Sequence, residues 1–595
     1  MKSAQTTNRL DRLLGLVLAV LLTVPSLATA KSPEVERVFS ERALEVIEAR
    51  GSDRVDLIVT YRGKADSSDI DRVNGLGASK RRDLNLINGH VISVPAKAAR
   101  RLIEHNPNIA QVSVDEPLQS AFFTVGASSV ADSFNSTPTP VMHAYPGLAS
   151  LTYTGEGVGV AVIDTGMRSH PDGKPTAKES FVDGEKEEDK HGHGNHVTGV
   201  IAGTGSHSEG PYRGVAPSSE IIALKALNNT GAGVASDVIA ALDWVLQNHD
   251  EHQIHVVNLS LGHPVYESVD TDPLVLAVEA VWDAGIVVVA SAGNMGREGY
   301  GTITSPGNAP SIITVGSLTH WGDNDASNDI VSTYSSRGPT RGDLIMKPDL
   351  LATGNRLISL KAKDGWLQSE LPERLITAPG KSTAEYYQLS GTSMAAAVVS
   401  GTVALMLEKD PGLNPATVKA RLMRSADKTQ FPDVFATGAG VLNIEAALAD
   451  TGVVAHAPSP RVKRIEEIGM LGFEDTAALW GGDEWALGFL WADGFLWADG
   501  YLWADGWLWA DSHVTADGFL WADGFLWADG FLWADGFLWA DGFLWADGWL
   551  WADGFLWADS DLFADGFLWA DGWLWADDAA SADEAPAADM LLVDD

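Results

Sequence analysis

The sequence contains no cysteine. Disulfide frameworks, cysteine-ligated zinc, iron–sulfur clusters and cysteine nucleophiles are therefore excluded. Basic residues are scarce: 41 Lys and Arg stand against 80 Asp and Glu, a formal net charge of −39. A nucleic-acid binder needs a basic patch, so this balance argues against one. Beyond the N-terminal 30 residues there is no continuous apolar run of about 18 residues, the length that crosses a bilayer. What is present is a globular mixture, 45% hydrophobic and 20% charged, which a chain disordered throughout would not show. The 595 residues allow about four domains.

Lys2, Arg9 and Arg12 precede an apolar run over 13–22, and Ala28-Thr29-Ala30 follows it. This is the pattern of a secretory signal peptide over 1–30, so the mature protein is expected to be exported and soluble; an uncleaved membrane anchor is the alternative. Residues 31–120 predict strands over 55–61 and 109–114 and a helix over 96–104. A polar, Pro-containing linker spans 121–140. From 141 to 455 apolar strands (158–163, 221–224, 256–261, 286–290, 312–315) alternate with helical patterns (197–202, 236–247, 273–284, 394–407, 415–425). That alternation predicts an α/β fold, a parallel sheet with helices on both faces. A second linker covers 456–487, and Arg464 is the last basic residue. Fifteen hexads in unbroken register fill 488–577, nine of them GFLWAD, and an acidic tail covers 578–595.

Three short motifs carry chemistry. In Val160-Ala161-Val162-Ile163-Asp164-Thr165-Gly166 a carboxylate ends an apolar strand. In Gly192-His193-Gly194-Asn195-His196 two glycines flank an imidazole. In Ser390-Gly391-Thr392-Ser393-Met394-Ala395 a serine starts a helical pattern, where free backbone N–H groups suit a developing oxyanion. Each alone reads as a turn, a structural histidine or a helix cap. Together they supply a serine nucleophile, an imidazole base and a carboxylate to hold the imidazole. His191, His193 and His196 also form H-x-H-x-x-H, a spacing that could bind zinc, although zinc would leave the other two motifs unexplained.

In AVIDTG, GHGNHVTG, VVNLSLG, SAGN, YSSRGPT and SGTSMAA, occurring in that order over about 141–450, the sequence resembles the subtilisin-like serine peptidases. The resemblance implies a triad of Asp164, His193 and Ser393. It implies an oxyanion hole of the Asn294 side chain and the Ser393 amide. Ser260, Leu261 and Gly262 would form one wall of the first specificity pocket, and Ala290, Ser291, Ala292 and Gly293 the other. These residues are small or apolar, so cleavage after apolar residues is expected. Asn195, Thr198 and Ala397 depart from the family's usual threonine, alanine and proline. The chemistry requires no cofactor; a structural calcium, with no ligands assigned, fits the family. A serine-carboxyl peptidase shares an SGTS-like serine but uses a glutamate base, which GHGNH argues against.

Residues 55–116 resemble the inhibitory propeptide of the same family. That implies a small split βαβ domain that blocks the cleft as an intramolecular inhibitor and is released by autolysis between about Leu118 and Ala144. The hexads cannot be an amphipathic helix, because a six-residue period spreads each residue type over three sides. Asp-Gly turns and Phe-Leu-Trp runs predict a repetitive β tail, either a three-sided solenoid of eighteen-residue coils or regular hairpins. Its Asp rows would face water or hold calcium; the tail would adhere to a surface or polymer through its aromatics, serve export, or space the enzyme. The expected function is a secreted serine endopeptidase made as an autoprocessed precursor and acting on polypeptides; the alternative is a surface adhesion protein with an inert peptidase domain.

Overall fold

A computed structural model of the chain describes residues 37–120, 138–322, 328–427, 433–465 and 470–473, with six strands of two or three residues between 519 and 569. The expected signal peptide, nearly all of the first linker and most of the hexads lie outside the described residues.

The N-terminal domain begins with α1 (Glu41–Arg50), which Ser40 caps by accepting from the Ala43 amide and which buries Ala43, Leu44 and Ile47. Then come β1 (Arg54–Tyr61), α2 (Ser67–Asn74), β2 (Ser79–Leu84) and β3 (Gly89–Pro95). Two short helices, α3 (Ala96–Ala99) and α4 (Leu102–His105), stand where one was expected, before β4 (Ile109–Val114). The sheet order is β2-β3-β1-β4, with β3 antiparallel to both β1 and β2. This is a split βαβ arrangement with its own apolar core.

The chain then leaves that sheet as β5 (Pro117–Ser120) and enters the larger domain. Its principal elements are β6 (Gly159–Asp164), β7 (Ala177–Ser180), α5 (His193–Ala202) and β8 (Glu220–Lys225). They continue with β9 (Ala232–Val234), α6 (Ala235–Asn248), β10 (Ile254–Leu259), β11 (Leu261–Pro264) and α7 (Pro273–Asp283). The last are β12 (Val287–Ser291), β13 (Thr304–Ser305), β14 (Ile313–Thr319), β15 (Ile330–Val331), β16 (Leu350–Thr353), α8 (Thr392–Lys409) and α9 (Pro415–Arg424). The sheet runs β15-β14-β12-β10-β6-β8-β7, with β16 also paired to β14. Only β15 is antiparallel. Its central strands are apolar along their length because helices cover both faces.

Helix α8 is apolar on every side and buried from Thr392 to Leu407. It runs through the core against α5, β10, β12, β14 and β16. The chain order changes direction at β6, whose neighbours are β8 on one side and β10 on the other. Open parallel sheets place their sites beyond the carboxyl ends of the strands at such a point.

The expected second linker is partly bound to this domain. The buried Asp349 accepts from Lys347 at 2.7 Å, from Lys419 at 3.2 Å and from Ser459 Oγ at 2.6 Å. Ser459 Oγ in turn accepts from Lys419 at 2.8 Å. Burial pushes the Lys419 amine down to about 7. Val462 is also buried, and β17 (Val462–Ile465) pairs with β18 (Met470–Phe473).

In the hexads, Phe519 pairs in parallel with Phe537, Phe537 with Phe555, Phe531 with Trp549 and Trp549 with Phe567. Each of these pairs is three hexads apart, the spacing of an eighteen-residue coil. Antiparallel pairs Trp521–Phe531 and Phe555–Trp569 complete a closed barrel.

Candidate active site

Asp164 is the last residue of β6 and is wholly buried. One of its oxygens accepts from the Thr165 amide at 2.7 Å. His193 opens α5, four residues earlier than the pattern predicted. The turn into that helix needs Gly192, whose φ is 112°. A side chain at Gly194 would also strike the Gly166 carbonyl at 2.2 Å. His193 Nδ1 lies 2.8 Å from both Asp164 oxygens, and both side chains are fully buried. An ionised carboxylate only accepts, so this contact fixes the proton on Nδ1 and leaves Nε2 as the acceptor.

Ser393 is the second residue of α8, which packs on α5. Its Oγ donates to the Ser260 carbonyl at 3.2 Å, and Ser260 Oγ donates back to the Ser393 carbonyl at 3.0 Å. This reciprocal pair ties the helix start to the end of β10. Asn294 follows β12; its Oδ1 accepts from the Thr392 amide and the Thr392 hydroxyl, both at 3.0 Å. Its buried Nδ2 makes no hydrogen bond among the described residues. The side chain is thus anchored by its acceptor, and its donor is unspent beside Ser393.

A cleft of about 420 Å³ adjoins these groups, lined on one side by Gly262 and on the other by Gly293 and Asn294, with Thr304 between. Leu261, Ala290, Ser291 and Ala292, expected as walls, are fully buried behind that surface. Strand β5 lies in the cleft. It is antiparallel to β9, with Gln119 opposite Ala232, and to β11, with Ser120 opposite Leu261 and Gln119 opposite Gly262. The Ser120 amide donates to the Gly231 carbonyl at 3.0 Å. Leu118 is buried, and Pro117 and Gln119 are exposed.

The three histidines of H-x-H-x-x-H diverge. His193 turns to Asp164, His196 Nε2 donates to the Leu357 carbonyl at 3.0 Å, and His191 stacks on Trp366 with ring centroids 5.4 Å apart. Burial pushes His191 and His196 down to about 3, so both rings are neutral. Among the described residues no three His, Asp or Glu side chains are placed to hold a metal ion. The motif therefore forms no zinc site there.

Sequence reasoning missed Asp189. This buried carboxylate accepts from Thr165 Oγ1 at 3.0 Å, from the His191 amide at 2.8 Å, from the Gly192 amide at 2.7 Å and from the Asn195 amide at 2.8 Å. Thr165 Oγ1 accepts in turn from the Gly194 amide at 2.8 Å. Asp189 therefore joins the turn behind Asp164 to the helix start that carries His193, and satisfies N–H groups that the helix end leaves orphaned. Burial holds its pKa above the usual carboxylate range, even against these hydrogen bonds. In sequence its only signal is an acidic residue four positions before His193. Asp189→Ala is expected to lower kcat on a peptide substrate about 100-fold with little change in KM, because it loosens the angle between imidazole and carboxylate. Equal kcat in the variant would contradict this.

The Subtilase family model matches residues 155–442. Serine protease AprX of Bacillus subtilis is 38% identical over 302 residues, 49% of this chain and 66% of that protein. Subtilisin DY of Bacillus licheniformis is 35% identical over 298 residues, covering 50% of this chain and 92% of the relative. Subtilisin E of Bacillus subtilis is 32% identical over 63% of this chain and 85% of its own length. Fervidolysin of Fervidobacterium pennivorans, a keratinolytic enzyme related to subtilisin, shares the fold at a TM-score of 0.52 and 20% identity. That superposition covers 72% of this chain and 64% of the fervidolysin chain. Matches of more than 30% identity that cover 92% of subtilisin DY and 85% of subtilisin E, on a domain with this sheet and these motifs, place the chain in the subtilase family of serine proteases.

Proposed function

We propose that the chain is a secreted serine endopeptidase made as a precursor that processes itself. The observation that carries the chemistry is the fully buried Asp164–His193 pair at 2.8 Å, set beside the helix start that bears Ser393. In the reacting complex the Ser393 hydroxyl meets the His193 Nε2 lone pair. His193 takes the hydroxyl proton as Oγ attacks the peptide carbonyl, and Asp164 stabilises the imidazolium. The Asn294 Nδ2–H and the Ser393 N–H receive the oxyanion. His193 then protonates the departing amine, and water releases the acyl chain by the same steps in reverse.

The N-terminal domain reads as an inhibitor in place. Strand β5 occupies the cleft as an added strand, and backbone pairing of this kind is how an extended peptide binds a sheet edge. It ends at Ser120, opposite Leu261, one residue short of Ser260. Ala121 follows it in sequence, and the first cut is expected between Ala121 and Phe122. Intact mass measurement of the released N-terminal fragment tests this: a fragment ending at Ala121 is expected. One ending before Pro117 or beyond 144 would contradict the reading.

Release of that fragment is expected to depend on pH. Asp115 accepts from the Ser236 amide and hydroxyl at 2.9 and 2.7 Å, and Asp237 faces Arg82 at 2.6 Å. Ser113 Oγ donates to Glu267 at 2.8 Å. Burial at this contact raises Asp115 to about 6, opposed by the Ser236 hydrogen bonds and Arg82 and helped by Asp56. Burial raises Asp237 to about 7, opposed by Arg82 and helped by Asp115 and Asp183. Burial raises Glu267 to about 7, opposed by Ser113 and Ser40 and helped by Asp272 and Glu116. Separated, all three return toward about 4. The joined state therefore binds more protons, and its extra stability is complete below about pH 4 and lost as pH rises to about 7. The fragment is expected to bind at least about 100-fold more weakly at pH 8 than at pH 5, and Glu267→Gln to reduce that difference. Equal retention at both pH values on gel filtration would contradict the linkage.

A further inference from the structure

We propose that Thr304 limits the residue accepted on the acyl side of the scissile bond to one the size of alanine or serine. This rests on the peptidase reading above and narrows the apolar preference expected from the sequence.

The two walls of the cleft are bare where they face each other, at Gly262 and Gly293. Thr304 bridges them. A β-carbon placed on Gly262 would lie 2.8 Å from Thr304 Oγ1 and 3.1 Å from its Cβ. One placed on Gly293 would lie 2.8 Å from Thr304 Cγ2 and 2.9 Å from Oγ1. The threonine side chain thus sits against both walls and fills the space between them. It cannot swing aside easily. Its amide donates to the Ala292 carbonyl at 3.0 Å and its hydroxyl to the same oxygen at 3.3 Å. Strand pairing of Thr304 with Pro264 and of Ser305 with His263 holds the backbone. A β-branched residue pinned in this way is stiff at χ1. Ser336 Oγ and the Ser305 carbonyl, packed against Gly293 and Gly262, close the remaining routes around it.

A phenylalanine or leucine entering between the walls must displace Thr304 or stop short of it, and overfilling a packed site is costly. An alanine or serine stops above the threonine. The chain's own sequence agrees. Ala121 is the residue that follows β5 in sequence, so the cut expected there has alanine on its acyl side and Phe122 beyond it.

The test uses the self-processed protein and peptide substrates identical except for Ala, Ser, Leu or Phe before the leaving group. Active sites are first counted by fluorophosphonate labelling. The expected result is a kcat/KM for Ala and Ser at least tenfold above that for Leu and Phe, with Thr304→Gly raising the Phe-to-Ala ratio at least tenfold. Thr304→Ser keeps the hydroxyl bond and loses only the methyl, so it folds with least disturbance and should raise the ratio by a smaller factor. Wild type preferring Phe or Leu, or a ratio unmoved in both variants, overturns the proposal. Absence of label on Ser393 would instead strike the peptidase reading itself.

Discussion

Ser393→Ala is expected to remain a single full-length chain, whereas the wild-type protein separates into an N-terminal fragment and a mature enzyme. The substitution removes one oxygen. It leaves the Ser393 carbonyl to accept from Ser260 Oγ, and Asn294 keeps its anchor on Thr392. Helix α8 is buried through its first four turns, and alanine is the best helix former, so stability should be little changed. Activity should fall by about a millionfold, because imidazole and carboxylate have no purpose without the hydroxyl they serve. Self-cleavage should fall with it, and β5 should stay in the cleft. Removal of the N-terminal domain from this variant at the wild-type rate, in purified protein, would mean that another group cuts the chain.

Asp164→Asn is expected to lower kcat about ten-thousandfold while leaving KM nearly unchanged. Asparagine has almost the same shape, and the Thr165 amide can still donate to its oxygen. What changes is the partner offered to His193 Nδ1. An amide nitrogen there presents hydrogen to hydrogen, or the ring exchanges tautomers and loses the lone pair on Nε2. Both side chains are wholly buried, so the missing acceptor has no bulk solvent to replace it. Substrate binding, which depends on β9 and β11, should persist. A variant with kcat within tenfold of wild type would show that Asp164 does not orient the base.

Much of this was legible in the sequence because apolar runs and glycine-flanked polar residues survive without coordinates. The run Val160–Ile163 announces a buried strand, and Asp164 marks its end. The start of α5 was harder. Gly192-His193-Gly194-Asn195 has poor helix propensity, and the helix begins there because Asp189 satisfies its first amides. A single acidic residue in the charged stretch 183–190 carries no mark that it is buried. Thr304 was equally hidden, since its effect arises only where two glycine-bearing segments distant in sequence face each other. Residues 456–465 read as a linker because they are polar and contain prolines. Yet Ser459 completes a buried cluster with Lys347, Asp349 and Lys419, and no hydrophobic periodicity reveals buried lysines. Helix α1 was also missed, a short amphipathic segment whose cap, Ser40, resembles any loop serine.

The central claim is that Ser393 is made nucleophilic by His193, and His193 by Asp164. A fluorophosphonate probe reads this directly, since it bonds covalently only to an activated serine. Peptide mapping of the labelled wild-type protein should place the probe on Ser393 alone, with labelling slowed by several orders of magnitude in Asp164→Asn. Labelling of a different serine, or equal rates in wild type and Asp164→Asn, would contradict the account.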